Sequence, residues 1–229
     1  MGKKVVVISL GGSLIIPKEI NTKLLLEFRK IIKKNSNSYK FVIVCGGGSI
    51  ARKYINSLSE IGQNEKLQSL IGISSTRTNA RFLNYFFGIN PYEGISENIK
   101  QIEEQMEKRG IVFCGGLRYS PNETSDSTAV KLAREFKTIF INITNVKGLY
   151  DKNPMENKNA KFIPEITFRD FYRMTTKKKY KPGQHMIMDQ TASYIILQNR
   201  ITTYILGEDM HQLDNLLNGK DFIGTTIHE

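Results

Sequence analysis

Val5-Val6-Val7-Ile8-Ser9-Leu10-Gly11-Gly12-Ser13 is the stretch on which the architecture turns. A nearly unbroken β-branched, apolar run suits a strand buried on both faces, and such strands belong to parallel sheets covered by helices. The glycines that end it permit a tight turn and let backbone N–H groups approach a ligand. The same pattern recurs twice. Residues 41–45 run apolar into Gly46-Gly47-Gly48-Ser49, and residues 111–114 run into Gly115-Gly116. In open parallel sheets ligands bind beyond the carboxyl ends of strands, and three glycine turns on one inferred edge point to phosphate.

The segments between follow a helical period. Asn21 or Thr22 can cap a helix whose Leu24, Leu25, Phe28, Ile31 and Ile32 share one face. Further helices are expected over 49–58, 65–87, around Ile99, Ile102 and Met106, around Ala129, Leu132, Ala133 and Phe136, and over 167–174, 189–199 and 209–217. Strands are expected over 138–143, 201–206 and 222–227, and an Asn- and Lys-rich loop over 151–161. Strands alternating with helices predict an α/β fold, a mostly parallel central sheet with helices on both faces, an αβα sandwich. No Pro- or Gly-rich linker divides the chain, so residues 1–229 are expected to form one domain around one continuous sheet.

Composition narrows the function. The formal net charge of +11 favours anionic partners. Its one dense run, Lys177-Lys178-Lys179-Tyr180-Lys181, reads as a solvated loop, and no aromatic RNA-binding signature accompanies it, so nucleic acid is not an expected partner. The apolar runs are too short to span a bilayer. The first residues imitate a signal peptide, but Gly11-Gly12 interrupts the apolar stretch and no cleavage site follows; Val6 also breaks a myristoylation pattern. A cytoplasmic protein with no membrane association is expected. Cys45 and Cys114 each end an apolar run, as buried thiols in a reducing compartment do. The three histidines are scattered, so no protein metal-ligand set is assigned. The Walker pattern, the dinucleotide G-x-G-x-x-G after a strand and the G-x-S-x-G elbow are all missing. A phosphate-handling enzyme without a P-loop remains.

Seven short motifs, in order, carry a resemblance: Ser9-Leu10-Gly11-Gly12-Ser13; Gly46-Gly47-Gly48-Ser49 with Arg52 beyond; Ile71-Gly72-Ile73 followed by Thr76-Arg77-Thr78-Asn79-Ala80; Thr124-Ser125-Asp126-Ser127; Thr144-Asn145-Val146-Lys147-Gly148-Leu149-Tyr150 with Pro154 beyond; Met188-Asp189-Gln190-Thr191-Ala192; and Gly224-Thr225-Thr226-Ile227. Together they resemble the amino acid kinase superfamily, and within it the archaeal-type UMP kinases, nearly end to end. The resemblance implies a phosphotransferase of pyrimidine nucleotide biosynthesis that uses ATP and Mg²⁺ to convert UMP to UDP. It implies an acceptor lobe over 1–137, an ATP lobe over 138–229, and a homo-oligomer, by family habit a hexamer. Gly11, Gly12, Ser13, Gly48, Thr144, Asn145, Tyr150 and Asn153 would then serve ATP. Gly47, Arg52, Ser69, Thr76, Asn79, Gly116, Thr124 and Ser125 would serve UMP. Asp126 and Arg52 would act at the transfer centre, the arginine through its planar fork of donors.

Departures from the family pattern keep alternatives open. Serine stands at position 9 and methionine at 186 where many relatives carry lysine; Lys3, Lys147 and Lys152 are stand-ins by count only. Ser69 replaces the aspartate that precedes the I-G-I segment, Lys147 replaces an aspartate in the adenine segment, and Asn153 replaces the aspartate before Pro154. The loop 117–123 runs about two residues longer than the family pattern. A kinase with a different small phosphate or carboxylate acceptor, or a catalytically silent nucleotide- or nucleic-acid-binding paralogue, are the other readings.

Overall fold

The computed structural model describes residues 2–89, 94–176 and 188–229. The basic run 177–181 and Met186 lie outside the described residues. Four apolar runs become the parallel heart of the sheet: β1 (Lys4–Leu10), β2 (Tyr39–Cys45), β3 (Ile111–Cys114) and β4 (Phe140–Ile143). β1 pairs in parallel with β2 on one side and β4 on the other, and β2 pairs with β3. Their carboxyl ends therefore face one edge of the sheet, and Gly11, Gly46, Gly115 and Thr144 follow them there.

Between β1 and β2 come the short α1 (Gly12–Ile15) and α2 (Thr22–Asn35). Asn21 caps α2, its side chain accepting the Leu24 N–H. α3 (Gly48–Glu60) and the long α4 (Glu65–Phe86) form an antiparallel pair, followed by α5 (Ile99–Lys108). α6 (Ser125–Glu135) lies between β3 and β4. A small hairpin, β5 (Leu149–Tyr150) with β6 (Phe162–Ile163), brackets the Asn- and Lys-rich loop. Then follow β7 (Glu165–Thr167), α7 (Phe168–Thr176), α8 (Gln190–Asn199), β8 (Thr203–Leu206), α9 (Met210–Leu217) and β9 (Gly224–His228). The seven strands of the main sheet run in the order β3-β2-β1-β4-β8-β9-β7, with β9 antiparallel to β8 and the rest parallel to their partners.

The period of two along each strand divides the core. Val6, Ile8, Leu10, Phe41, Ile43 and Cys45 face a layer made by α2, α9 and the end of α4, with Phe28, Leu83 and Leu213 buried among them. Val7, Val42, Val44 and Phe140 face α5, α6, α7 and α8, with Met106, Ala129, Phe171 and Ile196 buried there. Both cysteines are buried and unpaired on opposite faces, and burial pushes both thiols well up, Cys114 to about 12.

The expected strands and helices form, with a few differences, among them the four-residue α1, which the sequence did not announce. β4 begins at Phe140 rather than 138, because Lys137 turns the chain at φ +48° and the Thr138 hydroxyl bonds Val5 O across the strand entrance. β8 and β9 likewise begin two residues late. β5, β6 and β7 go unseen in the sequence, since two or three residues carry no period and only pairing across the sheet defines them. Among the described residues no helix is long and apolar enough to cross a membrane.

Candidate active site

The glycine turns meet. Gly11 N–H donates to Ile143 O and Gly46 N–H to Leu10 O, both at 2.9 Å, so the turns leave neighbouring strands side by side. Gly12 and Gly46–Gly48 then pack backbone on backbone: a Cβ built on Gly12 would lie 2.0 Å from Gly48 N. Gly48 itself sits at φ +67°, where an L side chain is strained and would also strike Ile16. Gly115 also packs closely on Thr76 and Arg77 of α4, and Thr76 Oγ1 accepts the Gly116 N–H at 2.8 Å.

Beyond these turns lies a single cleft bordered by Gly11, Gly12, Ser13, Gly47, Gly48, Arg52, Ser69, Thr76, Gly116, Thr124, Ser125, Asp126 and Thr144. α3 opens on Gly47 and α6 on Thr124, so both point their partly positive amino ends at it. Thr124 caps α6: its Oγ1 accepts the Asp126 N–H at 3.1 Å. Such an enclosure of N–H groups, guanidinium forks and hydroxyls suits a chain of phosphates.

Asp126 sits in the floor of the cleft, partly open to it and packed round by protein. Burial pushes its carboxyl up from the ordinary 3.8 to about 7; the negative Asp189 adds to this and the Ser9 hydroxyl, donating to Asp126 Oδ1 at 2.7 Å, opposes it. Ser9 therefore has a use that the comparison with a lysine obscured. It pairs in register with Asn142 on β4, and both side chains rise from the same face into the cleft floor region, Asn142 lining it directly.

Four candidate residues do not line the cleft. Asn79 is buried in α4 and its amide donates to Gly46 O at 2.7 Å, holding the glycine turn from behind. Asn145 follows Thr144 and accepts its hydroxyl at 3.3 Å. Tyr150 stacks edge-on against Phe162 across the small hairpin. Asn153 supports its own turn, accepting the Met155 N–H at 3.1 Å. Lys3 is bonded to Ser36 O near the amino end of the sheet, and Lys147 and Lys152 are exposed away from the cleft walls. Among the described residues the cations that line the cleft are Arg52 and Arg118.

Sequence reasoning overlooked Asn142, Arg118, Tyr119, Glu123 and Asp189, all on the cleft wall. Asn142 had a signal: like Ser9, it is a polar residue inside an apolar strand, two positions before the strand-end turn. Arg118 and Tyr119 come from the lengthened loop, which α4 anchors. Arg77 donates from Nε to Gly116 O at 3.0 Å, from Nη2 to Leu117 O and from Nη1 to Glu97, and Lys66 lies over the Tyr119 ring at 5.9 Å.

Glycine-ended parallel strands, a cleft lined by helix amino ends and an aspartate in its floor define the class. The chain belongs to the amino acid kinase family, whose model matches residues 4–207. Its relatives are specific within that family. The uridylate kinase of Thermoplasma volcanium is 35% identical over 227 residues, covering 98% of this chain and 97% of that protein. The uridylate kinase of Thermococcus kodakarensis is 30% identical over 94% of this chain and 96% of its own length. The crystal structure of uridylate kinase from Archaeoglobus fulgidus superposes with a TM-score of 0.81 at 30% identity, covering 97% of this chain and 99% of that one.

Proposed function

We propose that this protein transfers the γ-phosphoryl group of ATP to UMP, giving ADP and UDP. The observation that carries the reading is the back-to-back contact of the Gly11–Gly12 and Gly46–Gly48 turns at the head of one cleft. It is made in a chain similar over its length to proteins named uridylate kinase. Two anionic nucleotides can lie nose to tail there, with the acceptor toward Ser69, Thr76, Gly116, Thr124 and Ser125 and the donor toward Gly12, Ser13, Gly48 and Thr144. Transfer then needs alignment and charge neutralisation more than covalent chemistry. Backbone N–H groups of the glycine turns hold the phosphates, and Arg52 offers its fork to the transferred group. Ser9 fixes the Asp126 carboxyl beside them.

Magnesium fits this arrangement through its usual economy of protein ligands. It takes one or two carboxylates and fills its remaining positions with phosphate oxygens and water. Of the carboxylates on the cleft wall Asp126 suits this role, whereas both oxygens of Glu123 accept from Lys131 and both oxygens of Asp189 are occupied by N–H and O–H donors. Bound there, the ion would neutralise charge on the donor phosphates. The acceptor would then lie against residues 1–137 and the nucleoside of the donor against 138–229, with the glycine turns of the first part serving the phosphates of both, in a cytoplasmic enzyme that draws on the ATP and UMP pools. By family habit we also expect a hexamer, which a light-scattering mass would read.

Release of ADP from Mg-ATP with UMP, CMP, AMP and small phosphates or carboxylates as acceptors tests the reading. UMP should give the highest kcat/KM. Equal rates with AMP or CMP would remove UMP as the acceptor, and no ADP release with any of them would remove the transfer itself.

A further inference from the structure

The first turns of α6 and α8 converge on one carboxylate that the reaction above leaves without a role. Asp189 is 1% exposed. Its Oδ1 accepts the Ala192 N–H at 2.7 Å and the Ser127 hydroxyl at 2.6 Å. Its Oδ2 accepts the Thr124 hydroxyl at 2.5 Å, the Ser127 N–H at 3.2 Å and the Thr124 N–H at 3.3 Å. An ordinary N-cap satisfies one or two donors of its own helix. Here the bond to Ala192 does that for α8, and the other four bonds all go to α6. Two helix amino ends thus share one buried charge, which compensates its loss of water.

The bonds continue to the cleft floor. The Thr124 hydroxyl spends its hydrogen on Asp189, so it meets the Asp126 N–H purely as an acceptor, at 3.1 Å. Asp189, Thr124 and Asp126 form a directed chain from the end of α8 to the transfer centre. We propose that Asp189 is a positioning residue, a buried clamp between α8 and α6 that holds Thr124, Ser125 and Asp126 at the cleft in the geometry transfer requires. Its kinetic consequence rests on the transfer reading; the clamp itself does not.

Asp189→Ser separates a clamp from a cap. Serine is a good N-cap and can still accept the Ala192 N–H, but it is too short to serve α6 at the same time. We expect Asp189→Ser to fold and to keep wild-type exchange protection in the first turn of α8. The amides of residues 124–128 should exchange faster with deuterium. With UMP and Mg-ATP its kcat should fall about 10- to 100-fold, the effect of a misplaced catalytic group, while KM for ATP changes less than about threefold. Wild-type kcat together with wild-type exchange over 124–128 would overturn the clamp, because a residue serving only α8 is replaced by serine without loss. Ser127→Ala deletes one α6 bond without touching α8 or the cleft wall, and covers the case in which Asp189→Ser does not fold. A several-fold loss of kcat with faster exchange supports the clamp, and unchanged behaviour in both overturns it. If the wild type shows no turnover with UMP, the transfer reading fails, and the exchange comparison still decides the clamp.

Discussion

Asp126 shows how much one residue's surroundings decide. Its carboxyl lies between the Ser9 hydroxyl and the charge of Asp189, with little water to share. Replacing it with alanine should lower turnover at least ~100-fold, the low end for losing a preorganised group at a transfer centre; a folded variant with a near-normal rate would remove Asp126 from that role. The same residue makes stability depend on pH. The folded carboxyl titrates near 7, above its ordinary 3.8, so the folded state holds the proton more tightly than the unfolded one. The stabilisation is complete below about pH 4 and is lost progressively as pH rises to about 7. Melting of the protein without nucleotide or metal should therefore show Tm falling between about pH 4 and 7. Asp126→Asn should flatten that slope, and an equal slope in both proteins would contradict the titration. At this scale the sequence was only half legible. Asp126, Thr124 and the glycines stand out by type and spacing, whereas Ser9 read as a missing lysine because its partner lies far away in sequence, on α6.

The glycine turns are elements whose function is to bring main chain against main chain. At Gly12 the obstacle to a methyl group is the Gly48 nitrogen, and backbone held by two strands cannot step aside as a flexible side chain can. Gly12→Ala should lower stability by about 1–3 kcal/mol and weaken nucleotide binding at least tenfold. Gly110→Ala, at a position with open space, should leave both almost unchanged. Comparable melting and nucleotide titrations of the two variants would show that the contact between the turns can yield. Helix ends were legible where capping is local: Asn21, Asp189 and Asp209 each bond an N–H two or three residues on. The β5–β6 hairpin was not, because its two short strands acquire meaning only when Tyr150 and Phe162 meet across a loop. Nor could the direction of β9 be read, since an alternating or apolar run looks the same parallel or antiparallel.

Across the whole molecule the alternation of strands and helices was enough to give the layers, because every central strand is apolar on both faces and so demands cover on both. What chain order alone could not supply was strand order, and with it the meeting around one cleft of residues from the turns after β1, β2 and β3, from β4, from α1, α3, α4 and α6, and from the cap of α8. Most of the +11 charge lies elsewhere than on the cleft wall, where Arg52 and Arg118 are the cations among the described residues. Long-range attraction should therefore help capture anionic substrates, and added salt should screen it.

The placement of β7 has a consequence for how the protein is born. Its partner in the sheet is β9, which the ribosome makes only after α7, α8, β8 and α9. A nascent polypeptide can assemble β1 to β4, and so the glycine corners, while synthesis continues. β7 has no berth until β9 emerges and slides in antiparallel to β8. The glycine corner of the cleft is thus drafted early in translation, and the far margin of the sheet closes last, like a seam sewn from its middle outward.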